Sequence, residues 1–248
     1  MLEGHRSVEA ALEAHSRDVY RILAVRPGDR RLRRLRALAR EAGVTIVSAE
    51  EELIDELAVG TSHGGVVATV GPRRYLGLDA LLERLGPQPL LVMLDGVEDP
   101  FTYGQAVRAL YAAGTDGLIV PARSWESAAG VVARSSAGTS ELLPTAQVAD
   151  VEEAAEWCRA AGLRVVCAAT APDATPVTRV DLTTGTLVVV GGERRGIRRS
   201  FLARCDVRVA IPYARPDAPP LSASAAAAVI GFEAYRQRAG IERSFGFG

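Results

Sequence analysis

Five apolar runs, at residues 90–94, 117–120, 164–168, 187–190 and 207–211, recur along the chain with helix-patterned stretches between them. Their apolar positions are consecutive rather than alternate. That pattern belongs to strands covered on both faces, and burial of both faces is characteristic of parallel sheets with crossover helices. The intervening periodicity predicts helices over 104–113, 127–134, 151–161, 198–204 and 224–238. The expected architecture for this part is therefore α/β with a mostly parallel sheet.

A smaller α/β unit precedes it. A short helix is expected over 8–12 and a strand over 19–25, followed by a helix over 31–42 that Gly43 is placed to end, then a strand over 44–47. Ser48 followed by Glu51 reads as a capping box opening a helix over 49–57, and residues 66–70 read as a last strand. The segment Gly71-Pro-Arg-Arg-Tyr-Leu-Gly77 interrupts both periodicities, which places a boundary near Tyr75. The expected domains are 1–74, 75–240 and a tail, 241–248.

Composition narrows the chemistry. With 248 residues and 48% hydrophobic content the chain can bury a substantial core, while a net charge of −1 argues against indiscriminate coating of nucleic acid. All 29 basic residues are Arg, which removes lysine Schiff-base and P-loop chemistry. Cys158, Cys167 and Cys205 lack Cys-x-x-Cys spacing and read as buried thiols, and His5, His15 and His63 lack ligand spacing, so no metal is expected. No apolar run has the length of a membrane span and the first residues lack signal-peptide order, so a cytoplasmic protein with no membrane partner is expected.

Three loops follow strand ends, where open parallel sheets place ligands. The first is Asp99-Pro-Phe-Thr-Tyr-Gly-Gln-Ala-Val-Arg108, a turn running into a helix. The second is Gly191-Gly-Glu-Arg-Arg-Gly196, which by itself is only a turn and contains no dinucleotide fingerprint. The third runs from Ile211-Pro to Leu221-Ser-Ala-Ser224, where an Ala-rich helix opens that can approach another backbone closely.

In order and spacing these loops resemble the three motifs of the SpoU/TrmH branch of the SPOUT RNA methyltransferases. Ser135-Ser-Ala-Gly-Thr-Ser-Glu-Leu-Leu-Pro144 resembles the segment between the family's first two motifs. Leu2-Glu-Gly-His-Arg-Ser-Val-Glu-Ala-Ala-Leu12 and Ser62-His-Gly-Gly-Val-Val-Ala68 resemble the substrate-binding domain of its rRNA guanosine 2′-O-methyltransferases. The resemblance implies a C-terminal sheet with a deep trefoil knot, a homodimer, S-adenosylmethionine as cofactor and rRNA as substrate, with a ribose 2′-hydroxyl as acceptor.

It also implies site residues. Arg108 and Glu193 would be catalytic, and Ala169, Gly191, Ile211 and Leu221 would line the cofactor slot. Arg194, Arg195, Arg198 and Arg199 would contact RNA. Arginine, with a pKa above about 12, is a poor base, so Arg108 is expected to clamp phosphate rather than accept a proton. Thr102, Pro220 and Ser222 stand where the family carries Asn, Ser and Asn. The alternative they support is a catalytically altered or inactive RNA-binding or cofactor-sensing protein on the same fold.

Overall fold

The computed structural model describes residues 1–122, 128–215 and 217–239. The expected start of a helix at Ser127 and the tail 241–248 lie outside them. The chain forms two compact units, Met1–Tyr75 with Ser124–Leu143, and Leu76–Arg123 with Pro144–Gly248.

The first unit begins with β1 (Leu2–Glu3), α1 (His5–Ala14), β2 (Val19–Ala24) and α2 (Arg33–Glu41), and continues with β3 (Ile46–Ser48), α3 (Glu51–Leu57) and β4 (Val66–Val70). Its sheet has the order β1-β4-β2-β3, with β2 and β3 parallel and the other pairs antiparallel. The expected capping box at Ser48 does not form. Ser48 ends β3, Glu50 takes the N-cap position without a side-chain bond, and α3 begins only at Glu51. A cap needs its residue in the turn, and strand pairing with Ala24 claims Ser48 first.

The second unit opens with α4 (Leu78–Leu82), β5 (Leu90–Asp95), α5 (Pro100–Ala112) and β6 (Gly117–Pro121). The chain then gives α6 (Ala129–Ser135) and α7 (Thr139–Leu142) to the first unit. It returns through β7 (Thr145–Val148), α8 (Val151–Ala160), β8 (Arg164–Ala168), β9 (Thr175–Pro176), β10 (Thr186–Gly191), α9 (Arg199–Leu202), β11 (Val207–Ala210) and α10 (Ala223–Arg238). Every pairing in this sheet is parallel, in the order β7-β6-β5-β10-β8-β11-β9.

Side-chain alternation explains why the apolar runs are continuous. Leu91, Met93, Leu187 and Val189 pack with Leu81 of α4, Ala154 and Cys158 of α8 and Phe201 of α9. Their neighbours Leu90, Val92, Val188 and Val190 meet Leu110 of α5 and Ala227 and Ile230 of α10 on the other face. Gly231 lets these last two helices approach, since a Cβ there would stand 3.2 Å from that of Ala113.

In the first unit, two buried carboxylates tie the returning segment down. Glu141, on α7, accepts bonds from Ser16 Oγ at 2.6 Å and from the Arg17 guanidinium at 3.0 and 3.1 Å. Glu3 pairs with Arg134 of α6 and accepts the Val59 amide at 2.7 Å. Buried charges are tolerable when paired and hydrogen-bonded in this way.

The expectation of three thiols is corrected. Cys167 and Cys205 form a disulfide with a Cα separation of 6.2 Å, and Cys158 alone stays free and buried. The two are 38 residues apart, but β11 pairs with β8 and places Arg208 beside Cys167, so the turn before β11 lies next to the end of β8. Short-range spacing carries no sign of such a pairing.

Candidate active site

The carboxyl ends of β8, β10 and β11 and the start of α10 surround a cavity of about 530 Å³, within the range of small-molecule sites. Each wall has a local cause. β8 runs out at Ala168, and the Ala169 amide donates to Val209 O at 2.9 Å, which holds this end against β11. After β10 the Gly192 amide donates to Asp95 O at 2.7 Å, and the Gly196 amide closes the turn onto Gly192 O at 2.8 Å. Only glycine fits at 192, because a Cβ there would fall 1.9 Å from the Gly96 carbonyl oxygen. A Cβ on Gly191 would come within 2.7 Å of the backbone at Gly196 and Ile197.

The third wall is the loop 211–223. Ser222 is the N-cap of α10, its Oγ accepting the Ala225 amide at 3.2 Å. Glu193 Oε1 accepts the Ala223 amide at 3.3 Å, and the Tyr213 hydroxyl accepts the Leu221 amide at 2.9 Å. Ala169, Gly191, Ile211 and Leu221 therefore line one cavity together with Glu193, alongside Pro220 and Ser222 of the third loop and Tyr213, to which no motif assigns a role. A tyrosine three residues beyond a strand end is too ordinary a feature to have marked itself.

Arg108 lies elsewhere on the unit. It sits on the exposed face of α5 and is not among the residues lining this cavity. Phe101 and Tyr111 stand exposed on the same helix, so the arginine belongs to a partly aromatic outer surface. At the start of α5, Asp99 is the N-cap and accepts the Thr102 amide at 2.7 Å, and bonds from the Thr102 amide and hydroxyl hold its carboxyl below the usual range. Thr102 thus serves helix initiation.

The four arginines beside the second loop are all exposed. Arg194 pairs with Glu98 at 3.2 Å and Arg198 with Glu152, whereas Arg195 and Arg199 make no ion pair among the described residues. On α2 and the turn before it, Arg31 pairs with Asp29 and Arg34 with Glu13, and Arg36 donates to the carbonyls of Pro27 and Asp29. Much of that basic helix is thus occupied locally.

The first unit has its own concavity, of about 680 Å³, beside His63. The Gly65 amide donates to His63 Nδ1 at 3.2 Å, which leaves the proton on Nε2, 2.9 Å from Asp55 Oδ1. Its lining mixes Arg26 and Arg31 with Asp29, Glu51 and Asp55. Among the described residues no group of three or more His, Cys, Asp or Glu is placed to hold a metal, and no helix is long and apolar enough to cross a membrane.

A fully parallel α/β sheet with a nucleotide-sized slot at its strand ends, following a small mixed-sheet unit, defines a cofactor-binding α/β protein with an added N-terminal module. The chain belongs to the SpoU rRNA methylase family, whose model matches residues 89–232, and the RNA 2′-O ribose methyltransferase substrate binding model matches residues 1–76. It is similar to the 23S rRNA (guanosine-2′-O-)-methyltransferase RlmB of Pseudomonas syringae pv. tomato, with 38% identity over 240 residues covering 95% of this chain and 94% of the relative. RlmB of Pseudomonas aeruginosa is 35% identical over 243 residues, covering 96% and 97%. Among solved structures, the SpoU methyltransferase AviRb from Streptomyces viridochromogenes aligns with a TM-score of 0.79 at 28% identity, covering 96% of this chain and 89% of that one. The same protein in complex with the cofactor AdoMet aligns with a TM-score of 0.77.

Proposed function

We propose that this chain transfers a methyl group from S-adenosylmethionine to a ribose 2′-hydroxyl of rRNA. The observation that carries this reading is the single slot in which Ala169, Gly191, Ile211, Leu221 and Glu193 meet. Its fit to the cofactor rests on two features, a volume near 530 Å³ and glycines that keep the second loop tight against Gly96 and Gly196. The loops at Ala169, Gly191, Ile211 and Leu221 would hold the cofactor, their backbone amides and carbonyls offering hydrogen bonds and the Ile211 and Leu221 side chains apolar contact.

S-adenosylmethionine supplies an electrophilic methyl carbon on a sulfonium. The chain must hold the acceptor oxygen in line with that carbon, shed the hydroxyl proton and exclude water, and positioning of this kind is worth up to about 7–11 kcal/mol. Glu193 fixes the start of α10 through the Ala223 amide and so keeps two walls in register. Arg108 would clamp a phosphate next to the acceptor ribose and stabilise the negative charge developing on its oxygen, the hydroxyl proton being released to solvent water and the cofactor leaving as its neutral thioether.

Because Arg108 does not line the slot of its own chain, the active species we propose is a homodimer in which the face bearing Arg108 meets a second copy. Val229, Phe232 and Tyr235 on α10 and Phe101 and Tyr111 on α5 are 40–52% exposed and supply apolar surface for it. The first unit recruits the RNA, and Arg194, Arg195, Arg198 and Arg199 carry its backbone past the second loop. The trefoil knot is part of this reading, supported by β10 entering between β5 and β8. A cytoplasmic site of action follows from rRNA as substrate.

The test is transfer of labelled methyl to rRNA, followed by alkaline hydrolysis, which leaves a resistant dinucleotide only where a ribose oxygen is methylated. Arg108→Ala is expected to lower transfer about 100-fold or more while leaving S-adenosylhomocysteine affinity unchanged. Cofactor binding without transfer to any rRNA preparation would favour the inactive RNA-binding reading instead.

A further inference from the structure

Leu221 carries the first backbone N–H after Pro219 and Pro220, neither of which has one. A loop edge with so few donors cannot be held by backbone pairing. Here the Leu221 amide is taken by the side chain of Tyr213, from the opposite side of the same loop, at 2.9 Å. Both residues line the slot. Two residues further on, Glu193 Oε1 holds the Ala223 amide, and Ser222 between them caps α10.

We infer that Tyr213 is a positioning residue for the cofactor, its hydroxyl tying the loop across the slot so that the wall at 221–223 stands formed before the ligand arrives. The inference rests on reading this slot as the S-adenosylmethionine site. A hydroxyl oxygen has two lone pairs and one proton, so accepting the amide leaves the Tyr213 O–H free to donate to an acceptor in the slot. Closing the loop in advance removes an ordering cost from binding, and the departure at Pro220 makes the tie necessary, since the changed segment has lost both a hydroxyl and an amide donor.

Tyr213→Phe removes one oxygen and keeps the ring, so the fold is expected to survive. Four quantities are compared with the unaltered protein: S-adenosylhomocysteine affinity by calorimetry, hydrogen exchange at the Leu221 amide, the thermal midpoint and rRNA affinity. The expected result is a three- to tenfold weaker affinity, the range one hydrogen bond provides, with faster exchange at Leu221, a near-constant midpoint and unchanged RNA affinity. Unchanged affinity despite faster exchange would overturn the inference, showing that the tie is incidental. Tighter binding would overturn it too, because the hydroxyl would then be competing with the cofactor for the amide. If the unaltered protein binds neither S-adenosylmethionine nor S-adenosylhomocysteine, the cofactor reading itself falls and this inference with it, an outcome visible before any variant is made.

Discussion

Asp95 ends β5 where the Gly192 amide reaches its backbone carbonyl, and its carboxylate is half-buried. Burial pushes its pKa up, Arg198 pulls it down, and Glu152 and Asp150 push it up further, with a net rise. A carboxyl whose folded pKa exceeds its unfolded value contributes stability that is complete below the unfolded pKa and lost as pH rises through the folded one. Above its folded pKa the charged Asp95 carboxylate therefore works against the fold. Asp95→Asn is expected to raise the denaturation midpoint at pH 7, with the difference disappearing near about pH 3. Equal midpoints at pH 7 would show that the carboxylate is not strained there. At this scale the sequence was partly legible. Ala169, Gly191, Glu193 and Ile211 lie just at or past strand ends, which parallel strands bring together, and Leu221 joins them in one cavity from just before α10, while their roles belong to the proposal. Tyr213 was not legible, since its role depends on a bond across the loop.

Among the elements, β8 and the turn leading into β11 are joined by the Cys167–Cys205 disulfide, which sits below three walls of the slot. Cys167 precedes the lining residues Ala168 and Ala169, Cys205 follows α9 on the way to Ile211, and α9 itself continues from the 191–197 loop. Closing a loop of this length stabilises a fold by roughly 2–4 kcal/mol, so added dithiol is expected to shift urea denaturation to lower concentration. The thiol count provides the direct check. Burial pushes Cys158 up to about 12, so the native protein should show no fast-reacting thiol; unfolding should release one without reductant and three with it. Three thiols on unfolding without reductant would refute the bridge. The strands flanking the slot were legible as continuous apolar runs. By contrast β7, with Gln147 in its four residues, and β1, only two residues long, lack enough apolar repetition to signal themselves.

For the whole molecule, the homodimer proposed above is what would bring Arg108 to a slot. The outer stripe of α10 places Phe232 at 48% exposure between Val229 and Tyr235, and a charge there opposes burial against another apolar face. Phe232→Glu is expected to give a monomer in sedimentation that still binds S-adenosylhomocysteine but transfers methyl groups poorly. A dimer of unchanged strength would move the interface off this face. Nothing in the sequence shows that α6 and α7 belong with the first unit, because their partners Glu3, Ser16 and Arg17 lie more than a hundred residues earlier. That arrangement imposes an order on biosynthesis. The ribosome delivers β4 long before Arg134 and Glu141 exist, so Glu3 and the core around Leu2 and Val8, which Ala133 completes, must wait about 4–15 s at ordinary elongation rates for the segment ending at Leu143. During that interval the nascent chain offers chaperones an unpaired acidic residue and an uncovered apolar surface.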